Sequence, residues 1–260
     1  FILVFSFALI AYALTLKAPL RVRIIPIATS FLILITNFTF GYLRLKNNPT
    51  TYENNFNVRL VQIDIPQGKK WDKAGFDNQL KKYKELSKAK TTVLPDLIIW
   101  PETAIISPIN LSYALRKMIV EFLQPQQFLI TGFPSVFGDH NLFNSLGLFN
   151  HKAYKSYHKH HLVPFGEYVP FNLFKKFTAG QGEFSAGPGP QTLTIEEPRK
   201  FPSAKALLAK SKLNSRGEVF SFSPLICYEA IFTANVINLK ERPDFMVNIT
   251  NDAWYGRSAG

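Results

Sequence analysis

Cysteine is almost missing from this chain: among 260 residues there is one, Cys227. A lone thiol excludes an internal disulfide and any zinc site built from several cysteines, so its surroundings must decide its role. Acidic residues are scarce as well, 18 against 30 lysines and arginines, which leaves a formal charge of +12. Such an excess calls for an anionic partner, either lipid headgroups at a bilayer or nucleic acid. No nucleic-acid recognition motif accompanies it, so no nucleic-acid partner is expected. Part of the excess is a scattered lysine run, Lys81, Lys82, Lys84, Lys88 and Lys90, which suits a solvated helix face. The chain also lacks an internal repeat, a low-complexity tract, a glycine-rich phosphate loop and a serine in a Gly-x-Ser-x-Gly elbow. The last absence removes support for a serine-hydrolase triad.

Charge of either sign is missing from residues 1–16 (FILVFSFALIAYALTL) and again from 24–43 (IIPIATSFLILITNFTFGYL). Each stretch reads as a transmembrane helix, the second having the roughly 20 residues that span a bilayer. A signal peptide needs a basic start before its apolar stretch, whereas this chain opens inside the apolar stretch at Phe1, without an initiator Met. It therefore reads as a piece of a longer protein whose upstream membrane segments are missing. The basic loop with Lys17, Arg21 and Arg23 belongs in the cytoplasm by the positive-inside tendency, which puts everything after the second helix outside. Arg44 and Lys46 follow that helix and nearly balance the count.

Residues 46–56 (KNNPTTYENNF) suit a linker, and residues 57–260 alternate strand-like and helix-like segments. Strands are expected at 57–65, 96–101, 127–133, 142–149, 152–157, 219–229 and 244–251. Helices are expected at 72–90, 111–123 and 230–240. The pattern is that of an α/β fold with helices covering sheet faces. Residues 171–202, rich in glycine and proline and holding Phe171, Leu173, Phe174 and Phe177, break the periodicity and read as a lid or binding loop.

Three places carry side chains suited to chemistry. Glu102 follows an apolar strand, Trp100 and Pro101, where limited solvent access can tune a carboxylate toward a general base; a helix cap or salt-bridge partner is the plainer account. Lys159 sits in YHKHHLVPFGEYVP, a shaped polar loop, and either holds an oxyanion or lies on the surface. Cys227 stands at the end of a strand before the helix expected at 230–240, a place that favours a thiolate, although free cysteines are commonly buried and inert. Glu229, two residues on, orients substrate or pairs with a lysine. His158, His160 and His161 match no standard zinc spacing, and no metal is expected. A cysteine activated by His161 stays open on these residues alone.

WPETA, YHKHHLVPFGEY and LICYE, in that order, resemble the three signature stretches of the nitrilase (carbon–nitrogen hydrolase) superfamily. With VQIDIPQGKKW upstream and NITNDAWYG downstream, the chain is similar to its apolipoprotein N-acyltransferase family over nearly all of 57–257. The resemblance implies a nitrilase-like α-β-β-α sandwich preceded by transmembrane helices, facing the periplasm from the bacterial inner membrane. It implies Glu102 as base, Lys159 as catalytic lysine and Cys227 as nucleophile, with Glu167 beside them and Trp71, Tyr228 and Glu229 at further required positions. The implied reaction moves an acyl chain from a phospholipid, commonly phosphatidylethanolamine, through a cysteine thioester to a diacylglyceryl apolipoprotein, without a cofactor and in a monomer. Against that family the first membrane helices, the end of the catalytic domain and a closing helix are expected to be missing here. A membrane-tethered amidase that passes the thioester to water shares the same triad, and a silent lipid-binding scaffold shares the same fold.

Overall fold

Uninterrupted apolar sequence makes the first two elements helical: α1 spans Ile2–Thr15 and α2 spans Leu20–Asn47. The computed structural model describes residues 1–49, 56–63, 75–138, 141–170, 183–195 and 220–251. Its contacts divide into two compact units, Phe1–Asn54 and Asn55–Gly260. In the first unit, α2 begins earlier than expected because Pro19 stands at its N-cap, where a missing N–H costs nothing. Arg21 and Arg23 thus belong to the first turn of α2 and not to a loop. Arg23 Nε donates to Ala13 O at 2.8 Å and Nη2 to Leu14 O at 3.1 Å, satisfying carbonyls that the end of α1 leaves open. Deeper in the hairpin Ser30 Oγ donates to Ser6 O at 2.8 Å, and both serines are fully buried, so small side chains let the two backbones approach.

With 28 residues, α2 is about 42 Å long at ~1.5 Å per residue, enough to cross a hydrocarbon core of about 30 Å. The 14 residues of α1 give about 21 Å. Phe31, Leu32, Phe38 and Phe40 project outward from α2.

The second unit holds two sheets. In the first, β1 (Val58–Leu60), β2 (Leu97–Ile99) and β3 (Phe128–Phe137) run parallel. Antiparallel β4 (Asn141–Phe149) and β5 (Tyr154–His158) complete the order β1-β2-β3-β4-β5. Helices α3 (Phe76–Ser87) and α4 (Tyr113–Val120) lie in the crossovers that parallel strands require. The second sheet contains β6 (Leu193–Ile195), β7 (Phe220–Ile226) and β8 (Phe245–Ile249), with β7 parallel to β8.

Strand alternation sorts the core into two layers. Ile98, Leu129 and Phe133 point toward α3 and α4 and pack with Leu80, Tyr83 and Ile119. Leu97, Phe128 and Ile130 point the other way and meet Leu193, Phe222, Ile226 and Val247 of the second sheet. Each large apolar side chain buried there contributes about 1.5–3 kcal/mol, so the α-β-β layering follows from the two-sided apolar character of β2 and β3. The fold is the expected α/β class.

Two expectations need correction. Residues 230–240 form no α-helix: a 3₁₀ turn over Cys227–Ile231, which opens on the positive φ of Cys227, is followed by turns and bends. Among the described residues the outer face of the second sheet therefore carries no α-helix. The stretch 171–202 is not irregular throughout, since β6 pairs with β7 inside it; Phe171, Leu173, Phe174 and Phe177 lie outside the described residues.

Candidate active site

Both turns that carry a candidate residue leave the carboxyl end of a central strand. After β2, Trp100 donates its backbone N–H to Ile130 O at 2.8 Å. Its indole is fully buried between Tyr83 and Phe122, with Nε1 donating to Ser87 Oγ at 2.9 Å. That anchor faces the helical side and fixes the turn that follows. Glu102 then lies over β3 at Gly132, where an added Cβ would stand 2.6 Å from Glu102 Cα. Glycine is required there because the backbones touch.

Glu102 is 8% exposed, and its Oε1 accepts from Asn144 Nδ2 at 2.8 Å. The same Nδ2 donates to Glu167 Oε1 at 2.9 Å. Glu167 Oε2 in turn meets Lys159 Nζ at 2.8 Å and accepts the Val163 N–H at 2.9 Å. Lys159, at the end of β5, is 1% exposed, so the surface reading of this lysine is wrong. Its N–H donates to Asn144 O at 2.9 Å and its carbonyl accepts from Gly187 N at 2.8 Å. Glu102, Asn144, Glu167 and Lys159 thus form one continuous polar chain. Glu167 is held because 163–168 curls back on itself, with Phe165 N–H donating to Tyr168 O at 2.7 Å.

Cys227 follows β7 and is half-buried against the inter-sheet core. Its carbonyl accepts from Asn248 Nδ2 at 3.3 Å, and its sulfur has no hydrogen-bond partner among the described residues. Glu229 ties this turn to the lysine loop. Completely buried, it accepts from Ile226 N–H on Oε2 at 2.9 Å. On Oε1 it accepts from Tyr157 O–H at 2.7 Å, His160 N–H at 2.8 Å and His161 N–H at 3.2 Å. The chain neighbours of Lys159 and of Cys227 are therefore fastened to one carboxylate. Tyr228 packs edge-on to Phe232 with ring centroids 5.0 Å apart. Trp71 lies outside the described residues.

Backbone strain marks the same places. Among the described residues the non-glycine residues with positive φ are Thr103 (51°), Phe165 (61°) and Cys227 (53°), one in each of the three motif segments. Such conformations cost of order 1–3 kcal/mol each and gather at functional sites.

Two histidines touch the same network through their backbone N–H groups, His160 and His161, although His160 Nε2 and His161 Nδ1 are buried without a hydrogen-bond partner. Burial lowers the pKa of His160, against the raising effect of Glu229 and with a further lowering by His161. It stays neutral near pH 7, and because Nδ1 lies 2.7 Å from Glu229 Oε1, which only accepts, Nδ1 carries the proton. Burial and the Glu229 charge push the Tyr157 hydroxyl pKa far up. His160, His161 and Glu229 bring ligand atoms within 4.8 Å of one another, but Glu229 already receives donors on both oxygens, which suits a carboxylate clasp better than a metal ligand. His158, its pKa lowered by burial, meets Ser145 Oγ at 2.8 Å. His161 stacks on Phe232 at 4.2 Å. The residue that the motifs did not single out is Asn144, which shares its strand with Asn141 and Ser145 and carries no distinguishing signal in the sequence.

Residues 57–260 match the sequence profile of the family described as carbon-nitrogen hydrolase. The apolipoprotein N-acyltransferase of Rickettsia typhi is 35% identical over 260 residues, covering 96% of this chain and 47% of that protein. That of Bradyrhizobium diazoefficiens is 33% identical over 255 residues, covering 90% of this chain and 43% of that protein. The chain thus spans about half the length of the curated relatives it matches. A glutamine-dependent NAD+ synthetase structure from Acinetobacter baumannii is 20% identical with a TM-score of 0.44, covering 75% of this chain and 32% of that one.

Proposed function

The chain belongs to the carbon-nitrogen hydrolase family, and from that premise we propose that it carries the catalytic part of a membrane-anchored apolipoprotein N-acyltransferase. The observation that carries this reading is the buried polar chain from Glu102 to Lys159, together with Glu229, which accepts the N–H of Ile226 just before the strained Cys227 and that of His160 just after Lys159. The relatives' names, at 33–35% identity, favour acyl transfer over amide hydrolysis. A spanning-length α2 favours lipid substrates.

Covalent catalysis divides the transfer into two exchanges. Glu102 takes the Cys227 thiol proton as sulfur attacks the ester carbonyl of a phospholipid, phosphatidylethanolamine being the expected donor. The Lys159 ammonium, held by Glu167, stabilises the oxyanion, an effect worth on the order of 10²–10³ in rate for one good donor. The tetrahedral adduct collapses, the lysophospholipid oxygen leaves with the proton from Glu102, and a thioester remains. The α-amino group of a diacylglyceryl apolipoprotein then attacks the thioester, Glu102 accepts the amine proton and passes it to the departing sulfur, which restores both the thiol and the carboxylate. Kinetics are ping-pong. Trp71, Tyr228 and Glu229 support the site, the enzyme works as a monomer, and the domain faces the periplasm from the inner membrane. Helices at the bilayer keep both lipid substrates close.

Full-length protein in detergent, incubated with a fluorescent phospholipid, is expected to gain one acyl chain on Cys227 by intact mass. A lipopeptide should discharge it rapidly and water slowly. Cys227→Ser should reduce labelling to background. Unchanged labelling in that variant sinks the nucleophile assignment, and rapid discharge by water alone turns the reading into a tethered amidase.

A further inference from the structure

Glu102 does not present two equivalent oxygens. Oε1 is engaged by Asn144 Nδ2, while Oε2 has no partner among the described residues. Among the described residues the unpartnered buried side-chain atoms sealed from solvent are Thr131 Oγ1, His160 Nε2 and His161 Nδ1, so Oε2 keeps an open side. Asn144 itself is 5% exposed, and it cannot turn its amide over: both of its Nδ2 contacts are carboxylate oxygens, which only accept. Its backbone is fixed on both flanks, by pairing with Pro134 of β3 and by the Lys159 N–H on its carbonyl.

We infer that Asn144 is a positioning residue: its two N–H groups hold Glu102 and Glu167 together, so that Glu102 Oε2 is the oxygen that exchanges protons with Cys227 and the substrate amine. The inference rests on the acyl-transfer reading above and deepens it. One amide sets the base and, through Glu167, the ammonium of Lys159 in a single rigid frame on a strand, the kind of support that keeps a reacting geometry within fractions of an ångström. It also separates two carboxylates that would otherwise repel. The charged groups joined to Glu102 are Glu167 and Lys159, both from the segment at and after β5. From β2 and β3 it meets the neutral Trp100 turn and the Gly132 backbone.

Asn144→Asp has nearly the same shape and the opposite effect, because an acceptor replaces both donors and adds a third carboxylate to the cluster. A like charge disfavours ionisation of its neighbours. Asn144→Ala removes the frame without adding charge. In full-length protein, two readouts are followed across pH: acyl labelling of Cys227 by a fluorescent phospholipid, and alkylation of Cys227 by iodoacetamide, quantified on its peptide. Asn144→Asp should move the acid limb of both profiles toward higher pH by about one unit or more. Asn144→Ala should lower the labelling rate by about 10²-fold, with half-saturating phospholipid within about twofold of wild type. Circular dichroism confirms that both variants fold. If wild type labels and both variants keep its rate and both profiles, the inference is overturned. If wild type never labels while its alkylation profile still shifts in Asn144→Asp, the acyltransferase reading fails and the positioning role stands.

Discussion

Two glutamates at similar depth in this molecule are treated in opposite ways. Glu229 is sealed, with donors on both oxygens from the tyrosine, the histidine loop and the end of β7. Glu102 has one oxygen held and one left open. A saturated buried carboxylate is structural cement, since each donor would be orphaned without it, whereas an unsaturated one keeps capacity for a proton. The difference teaches that hydrogen-bond saturation, more than burial, separates a structural clasp from a carboxylate with an oxygen left to take a proton.

Replacing each glutamate by its amide tests that contrast. Glu102→Gln should lower acyl labelling by about 10²–10⁴-fold while shifting Tm by less than about 2 °C, and a large loss of Tm would place Glu102 among the structural groups. Glu229→Gln leaves at least one backbone donor facing an amide N–H. The cost should be on the order of 3 kcal/mol, a fall in Tm of about 6–12 °C for a unit of this size. Equal Tm for wild type and Glu229→Gln in differential scanning fluorimetry would break the comparison.

The smallest effect concerns pH. His158 and His160 have pKa values held below the ordinary histidine value of about 6.5. As pH falls below that value the unfolded chain takes up protons that the folded one refuses, so stability drops from there down toward the depressed native values. Tm should therefore decline by a few degrees between pH 7 and 5. His160→Asn, whose amide keeps a donor near the place of Nδ1, should reduce that slope, and an unaltered slope would show that the imidazole beside Glu229 charges in place.

Much of this organisation was legible beforehand, and the exceptions share a cause. Apolar runs gave away β2, β3, β7 and β8, because two-sided burial leaves a plain hydrophobic record. The motif order pointed to Glu102, Lys159, Glu167, Cys227 and Glu229 together. Asn144 and Gly132 were not legible, since their importance arises only when β4 lies beside β3 and the turn after β2 crosses over a glycine. The helix expected at 230–240 is replaced by a single 3₁₀ turn over Cys227–Ile231 and then turns and bends, which no apolar spacing in the segment announces. β6 was hidden among glycines and prolines, where three residues are too few to show a period.

The left-handed residues Thr103, Phe165 and Cys227 carry a consequence for evolution. Selection for robustness alone would install glycine at each, relaxing the main chain by about a kilocalorie or more apiece. A lineage released from its chemistry should drift toward glycine at these three sites and grow tougher as it falls silent.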